Sequence, residues 1–132
     1  MKSIGCVLLL SFCILVPMQA IAETIPHHGM KVAEDSPPDV CISCHDGSVA
    51  HIVSYCTVKC DFSTAHSIFK TYPPRNRRAE FASVAVLTAK GIKLQNGQVT
   101  CVSCHNLRNP GENHLVVDGT KTDLCRICHI RK

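Results

Sequence analysis

Apolar positions in this chain come in short, broken groups, with one exception. Cys6 to Val16 is a nearly unbroken apolar run, preceded by Met1-Lys2 and followed by the small-x-small sequence Ala20-Ile21-Ala22. That order of positive start, apolar centre and small-residue site predicts an export signal over residues 1–22, cleaved to leave a mature chain from Glu23. The run is short for a membrane span. An uncleaved anchor is the competing reading. A lipoprotein is disfavoured because Phe12 precedes Cys13, where a small residue is needed.

Beyond Ala22 the pattern predicts only short elements. Glu23 to Asp39 reads as an ordered arm with little regular structure, because Asp35-Ser36-Pro37-Pro38-Asp39 favours extended and turn backbone. Asp39 can cap a short helix over Val40 to His45, stopping at Asp46-Gly47. Ser48 to Tyr72 is a connector that Tyr72-Pro73-Pro74 breaks. Arg75, Arg77 and Arg78 read as a solvated loop. AEFASVAVLTAK, Ala79 to Lys90, can form a helix ended by Gly91, with a strand around Val84 to Leu87 as the alternative. GIKLQNGQVTCV, Gly91 to Val102, alternates on both sides of Asn96-Gly97 and predicts a β-hairpin near residues 92–102. Leu115 to Val117 reads as a short extended piece. Asp123 can cap a last small helix, Leu124 to His129. Helices this short are unstable alone in water and must pack on something.

Composition says what that something is. The mature chain has no Trp and few other aromatics, yet eight of the ten Cys of the sequence lie in it. An exported chain of roughly 110 residues with so little apolar bulk needs staples, either disulfides or metal centres.

The cysteines fall in a pattern. Cys-x-x-Cys-His occurs at Cys41-Cys44-His45, Cys101-Cys104-His105 and Cys125-Cys128-His129. Residues at i, i+3 and i+4 of a helix share a face. Two thiols can therefore reach one porphyrin edge while the histidine points at its iron. This is the attachment signature of c-type haem. Six cysteines would hold three haems, with His45, His105 and His129 as proximal ligands. Cys101 to Cys128 also has the spacing of a four-cysteine zinc ribbon, and a plain disulfide framework is a further alternative. With 8 His in 132 residues, a His after the second Cys three times by chance has a probability of about 10⁻⁴. That number favours haem, as does export, since haem is attached after export in c-type systems.

Three irons need three distal ligands. The mature chain has one Met, Met30, but five spare histidines: His27, His28, His51, His66 and His114. Ligation of all three haems by two histidines each is thus possible, and histidine in place of methionine lowers the potential. His114 lies in a turn-rich loop between two motifs and is the first candidate. His66 precedes the break at Tyr72-Pro73-Pro74. One of His27 and His28 serves the third iron, with a lean to His28. Adjacent histidines on an extended arm point to opposite sides, which argues against both at one iron. His51 ranks last. Cys56 and Cys60 form no haem motif. A local disulfide is their plain reading, with a variant attachment site or a reactive thiol pair as alternatives.

Charge changes its meaning under this reading. The mature chain carries 13 Lys and Arg against 10 Asp and Glu, a net of +3. A ferric haem with ionised propionates adds about −1 and a ferrous one about −2. The holoprotein would lie near neutrality when oxidised, so the basic residues are no argument for nucleic acid.

CISCHDGSVA (Cys41 to Ala50), TAHSIFKTYPP (Thr64 to Pro74), KLQNGQVTCVSCHN (Lys93 to Asn106) and ENHLVVDGTKTDLCRICH (Glu112 to His129) cover most of the mature chain. In these words it resembles multihaem c-type cytochromes of the doubled Cys-x-x-Cys-His type. The resemblance implies a small, mostly irregular multihaem cytochrome fold, with short helices at the motifs and the haems as core. It implies His66 and His114 as distal ligands, although the usual Pro after the first of these is Ser67 here. It also implies electron transfer in the periplasm or at the cell surface. Partners would be other redox proteins: cytochromes, a membrane quinol-oxidising complex, an outer-membrane conduit or a terminal reductase. The expectation is a carrier, not an enzyme. The alternatives are a haem enzyme reducing a small oxyanion at an open iron, and a subunit of a cytochrome assembly or filament.

Overall fold

The computed structural model describes residues 23–56, 66–111, 113–117 and 121–131, with backbone alone at 56, 66, 67, 121 and 122. The expected export signal, Cys60, and the side chains of Cys56 and His66 therefore lie outside the described residues. Among the described residues no helix is long and apolar enough to cross a membrane.

The arm is not irregular. β1 (Thr24–His27) and β2 (Met30–Ala33) form an antiparallel hairpin, with Thr24 opposite Ala33 and His27 opposite Met30. His28 and Gly29 make its two-residue turn with φ of 48° and 78°. Positive φ at both central residues matches the right-handed twist of the flanking strands. The Pro-rich segment begins only after this ladder, so its bias toward turns acts on residues 35–39 alone.

α1 (Pro38–Cys44) starts two residues earlier than an Asp39 cap would place it. Pro38 occupies its first turn, where no backbone N–H is needed, and Asp39 lies inside that turn. The helix ends at His45, two residues before Gly47, whose φ of 95° belongs to the following turn.

β3 (Tyr55–Cys56) pairs in parallel with β4 (His66–Ser67), and β5 (Lys70–Thr71) pairs antiparallel with β6 (Gln98–Val99). The expected hairpin near residues 92–102 is reduced to its turn. Gln95 and Gln98 exchange both backbone hydrogen bonds, at 3.1 and 2.9 Å, around Asn96-Gly97. Beyond Gln98 the strand leaves its own hairpin partner and pairs with β5. Tyr72 N–H to Gly97 O (2.9 Å) and Phe69 N–H to Val99 O (2.8 Å) extend that ladder.

The arginine segment is a 3₁₀ turn (Arg75–Glu80), with Arg77 paired to Glu80. α2 (Val84–Ala89) is shorter than the sequence suggests. Ser83 accepts the Val86 N–H as its N-cap, and the chain turns at Gly91 with φ of 79°. α3 (Cys101–Cys104) and α4 (Lys121–Cys128) carry the other two motifs. α4 begins before Asp123, which sits in its first turn and is not the cap.

A small polypeptide core exists beside these motifs. Leu87 is fully buried against Tyr72, Ala82 and Ile92, with Phe81, Leu94, Val99, Val116, Leu124 and Ile127 packed around them. Seven hydrophobic side chains among the described residues are buried, four of them in this cluster. Leu124 and Ile127 bring α4 onto it.

Candidate metal centre

The three Cys-x-x-Cys-His segments share one geometry. Each is a helical turn whose histidine N–H closes the last bond to the carbonyl of the first cysteine: His45 to Cys41 (2.9 Å), His105 to Cys101 (3.0 Å) and His129 to Cys125 (2.9 Å). Both thiols and the imidazole of each motif therefore project from one face of a turn.

Each turn is also tied down at the same atom. The carbonyl of the second cysteine accepts a tertiary backbone N–H: Ala50 on Cys44 (3.0 Å), Val116 on Cys104 (3.0 Å) and Ala82 on Cys128 (2.9 Å). In the second motif Ser103 adds a further tie. Its hydroxyl accepts the Thr100 N–H at 2.9 Å and donates to Lys93 O at 2.5 Å. In the third motif the Tyr72 hydroxyl donates to Ala82 O (2.9 Å) and approaches Cys128 O at 3.3 Å. Phe81 lies 4.5 Å from the His129 ring.

Three imidazoles are oriented through Nδ1 by main-chain carbonyls. His45 Nδ1 lies 3.0 Å from His51 O, His105 Nδ1 2.7 Å from Asn113 O, and His114 Nδ1 2.6 Å from Asn109 O. An Nδ1–H donated to a carbonyl leaves Nε2 with the lone pair that binds metal. His114 holds its place with φ of 48°.

The hairpin turn delivers His27 and His28 to the first motif. The ring centroids of His27 and His28 are 4.1 Å apart, and His45 lies 6.0 Å and 5.3 Å from them. The ligand atoms of His27, His28 and His45 all lie within 4.8 Å of one another. The two adjacent histidines thus face the same way, contrary to the alternation expected of an extended arm. The left-handed backbone at His28 breaks the alternation. His114 is 5.5 Å from His27, ring edge to ring face. Burial, then the neighbouring His28, His114 and His45, lower the His27 pKa, which favours the neutral ring that a metal binds. His51 contributes its carbonyl to this site and its exposed side chain lies outside the cluster.

Ion pairs hold the hairpin in place at its open end. Glu34 accepts Lys93 Nζ at 2.7 Å and Arg108 Nε at 2.9 Å, and Arg108 also pairs with Glu23. Gln95 Nε2 donates to Asp35 O at 2.7 Å. Hydrogen bonds from Lys93 and then Arg108 hold the Glu34 carboxyl below its ordinary pKa. Lys93 and Arg108 flank the second motif, so these contacts tie the open end of the hairpin to it. Sequence reasoning missed Glu34, Lys93 and Arg108, whose spacing carries no local signal.

The six motif thiols are all free. Proximity to the Cys41 thiol lowers Cys101 to about 7, and proximity to Cys101, with burial, raises Cys41. Burial, with Cys128 and Cys125 nearby, pushes Cys104 up to about 11. Among the described residues, the four cysteines from Cys101 to Cys128 do not gather as one metal cage, and His27, His28 and His45 are the group that does.

These residues fit covalent haem. Free thiols and an Nε2-presenting histidine share one helical face at a motif, and a second imidazole stands near. The ligand atoms of His27, His28 and His45 lie close enough together that one metal could be held between His45 and a hairpin histidine. Val40, Val49 and Ile52, beside His45 in sequence, are exposed apolar side chains that a macrocycle would cover. No family profile, curated protein or solved structure matches this chain.

Proposed function

We propose that the chain is a three-haem c-type cytochrome that carries electrons between redox proteins outside the cytoplasm. The observation that carries this reading is the threefold recurrence of one helical turn, closed at the histidine and tied at the second cysteine's carbonyl. In this reading Cys41 and Cys44, Cys101 and Cys104, and Cys125 and Cys128 hold the three haems, with His45, His105 and His129 as proximal ligands. The hairpin supplies the distal ligand facing His45, from His28 or His27. His114, with Nδ1 engaged and Nε2 free, supplies a second, and His66 is proposed for the third.

Bound haem supplies reversible one-electron chemistry at iron. The chain's part is orientation and closure. Main-chain carbonyls fix the ring planes of His45, His105 and His114. The Glu34 ion pairs hold the hairpin over the first motif. Two imidazoles held at each haem would keep small ligands off the iron, and the protein would act as carrier and not as catalyst. Its partners are then other cytochromes, a quinol-oxidising membrane complex or a terminal reductase.

Intact mass of the mature protein from a host with haem-attachment machinery tests the reading. The expected mass is that of residues 23–132 plus three haems. A mass without haem, or with zinc alone, removes it.

A further inference from the structure

The charges of this chain are divided along its length. Residues 23–56 hold five acidic residues and one basic one, Lys31, whereas residues 66–111 and 121–131 hold ten Lys and Arg against Glu80 and Asp123. At the third motif the 3₁₀ turn lies against the end of α4. Ile130 N–H donates to Glu80 O at 3.0 Å, Ala82 N–H donates to Cys128 O at 2.9 Å, and Phe81 forms a β-bridge with His129. The two segments joined there bring Arg75 and Arg78, and Arg126 and Arg131, to the rim of the third motif. All four are exposed, as are Cys125 and His129, and Ile130 between them is 58% exposed. None of the four has an ion-pair partner among the described residues, where Arg77 takes Glu80. The first motif has the opposite rim. Asp39 lies in the first turn of α1, Asp46 directly follows His45, and both are exposed with Asp35. These three also lack a cationic partner among the described residues. The two sets do not pair within one molecule: α1 packs on α3, and α4 packs on the Leu87 core.

We propose that the third-motif face of one molecule docks on the first-motif face of a second copy, with Arg75, Arg78, Arg126 and Arg131 meeting Asp35, Asp39 and Asp46. An exposed apolar residue within an arginine rim has the make-up of a docking face, and opposite charges across such a face set its partner and its register. The occupant is a second copy because the complementary charge is carried by this chain itself and is left unpaired inside it. The contact joins unlike surfaces, so it runs head to tail and can repeat from copy to copy. Its use rests on the haem reading: the third haem site of one molecule then faces the first of the next, and electrons pass between copies without another carrier.

The test is sedimentation velocity of the full mature holoprotein, followed by interference optics over a concentration series. At about 10 mM NaCl, where the Debye length is about 30 Å, the sedimentation coefficient should rise with concentration, and at about 1 M, where it is about 3 Å, the rise should vanish. Arg75→Glu with Arg78→Glu, and separately Asp35→Lys with Asp39→Lys, should each weaken association by about tenfold or more, because like charges are then juxtaposed. Mixing the two variants should restore it, since the acidic face of the first meets the basic face of the second. A variant that had merely misfolded would not be rescued in this way, and the salt dependence of the wild type needs no variant at all. A wild type that stays monomeric in low salt overturns the proposal and leaves the arginine rim to an acidic protein of another kind. Association that survives either reversal, or that does not return on mixing, overturns it as well. Failure here is distinguishable from failure of the haem reading. A three-haem protein that stays monomeric loses this proposal alone, and salt-sensitive association of a chain without the haem mass loses the haem reading alone.

Discussion

Tyr72→Phe removes one oxygen from the joint between the polypeptide core and the third motif. The ring stays, with its edge-to-face contact to Phe81 at 5.6 Å, so packing is conserved and the hydroxyl's hydrogen bonds are lost. Ala82 O loses a donor at 2.9 Å, whereas Cys128 O keeps the Ala82 N–H at 2.9 Å. The loss is then close to one net hydrogen bond, about 1 kcal/mol. At a urea m-value of roughly 1–3 kcal/mol/M the midpoint falls by about 0.3–1 M. Alkaline pH adds a second arm. Burial first, and the nearby Cys128 second, push the Tyr72 hydroxyl up to about 12. An unfolded tyrosine ionises near pH 10. Between those values the folded state holds a proton that the unfolded state has lost, so wild-type stability falls with rising pH. The variant has no such proton. By pH 11 this linkage removes about 1.4 kcal/mol from the wild type alone, enough to close the gap between the proteins. Urea unfolding at pH 8 and pH 11, followed by circular dichroism, measures both arms. Equal midpoints at pH 8, or a gap unchanged at pH 11, would refute the reasoning.

Leu87→Ala empties the centre of the core and should cost about 2–5 kcal/mol, read as a urea midpoint lowered well beyond that of Tyr72→Phe. His114→Ala should turn one haem high-spin in the resting oxidised protein while the intact mass still shows three haems; an unchanged spectrum would remove His114 from the ligand set. Glu34 has a depressed folded pKa, so its hold on the hairpin is present above the unfolded carboxyl pKa near 4.3 and is lost as pH falls through the folded value. Glu34→Gln should abolish that acid-dependent change in the His27 and His28 proton resonances, and a change of the same size in the variant would show that another group controls the hairpin.

The motifs were legible because their chemistry is local. A helical turn sets Cys41, Cys44 and His45 on one face from spacing alone, and the same holds at Cys101 and Cys125. The Asn96-Gly97 turn was legible for a similar reason, since two adjacent residues carry its backbone requirement. Its strands were not, because β6 finds its partner in β5, nearly thirty positions upstream. The histidine hairpin was hidden by His28, a non-glycine residue with φ of 48°. A Pro-rich neighbour also lowered the expectation of any ladder there. The core around Leu87 was missed because its members come from separated short segments, none with a periodic apolar face.

The carbonyls that orient His45, His105 and His114 belong to His51, Asn113 and Asn109. Each is an atom that every amino acid possesses. The aim of three imidazoles is therefore written in the course of the backbone, not in the identity of the residues that contact them. His51 and Asn113 are free to drift, provided the loops keep their lengths and turns, whereas the Asn109 side chain also donates to Leu115 O and helps hold its loop. An engineer could replace the other two side chains without rotating a ring, whereas inserting one residue into either loop would misdirect the ring it serves. Loop length is the inherited instruction here, and loop spelling is not.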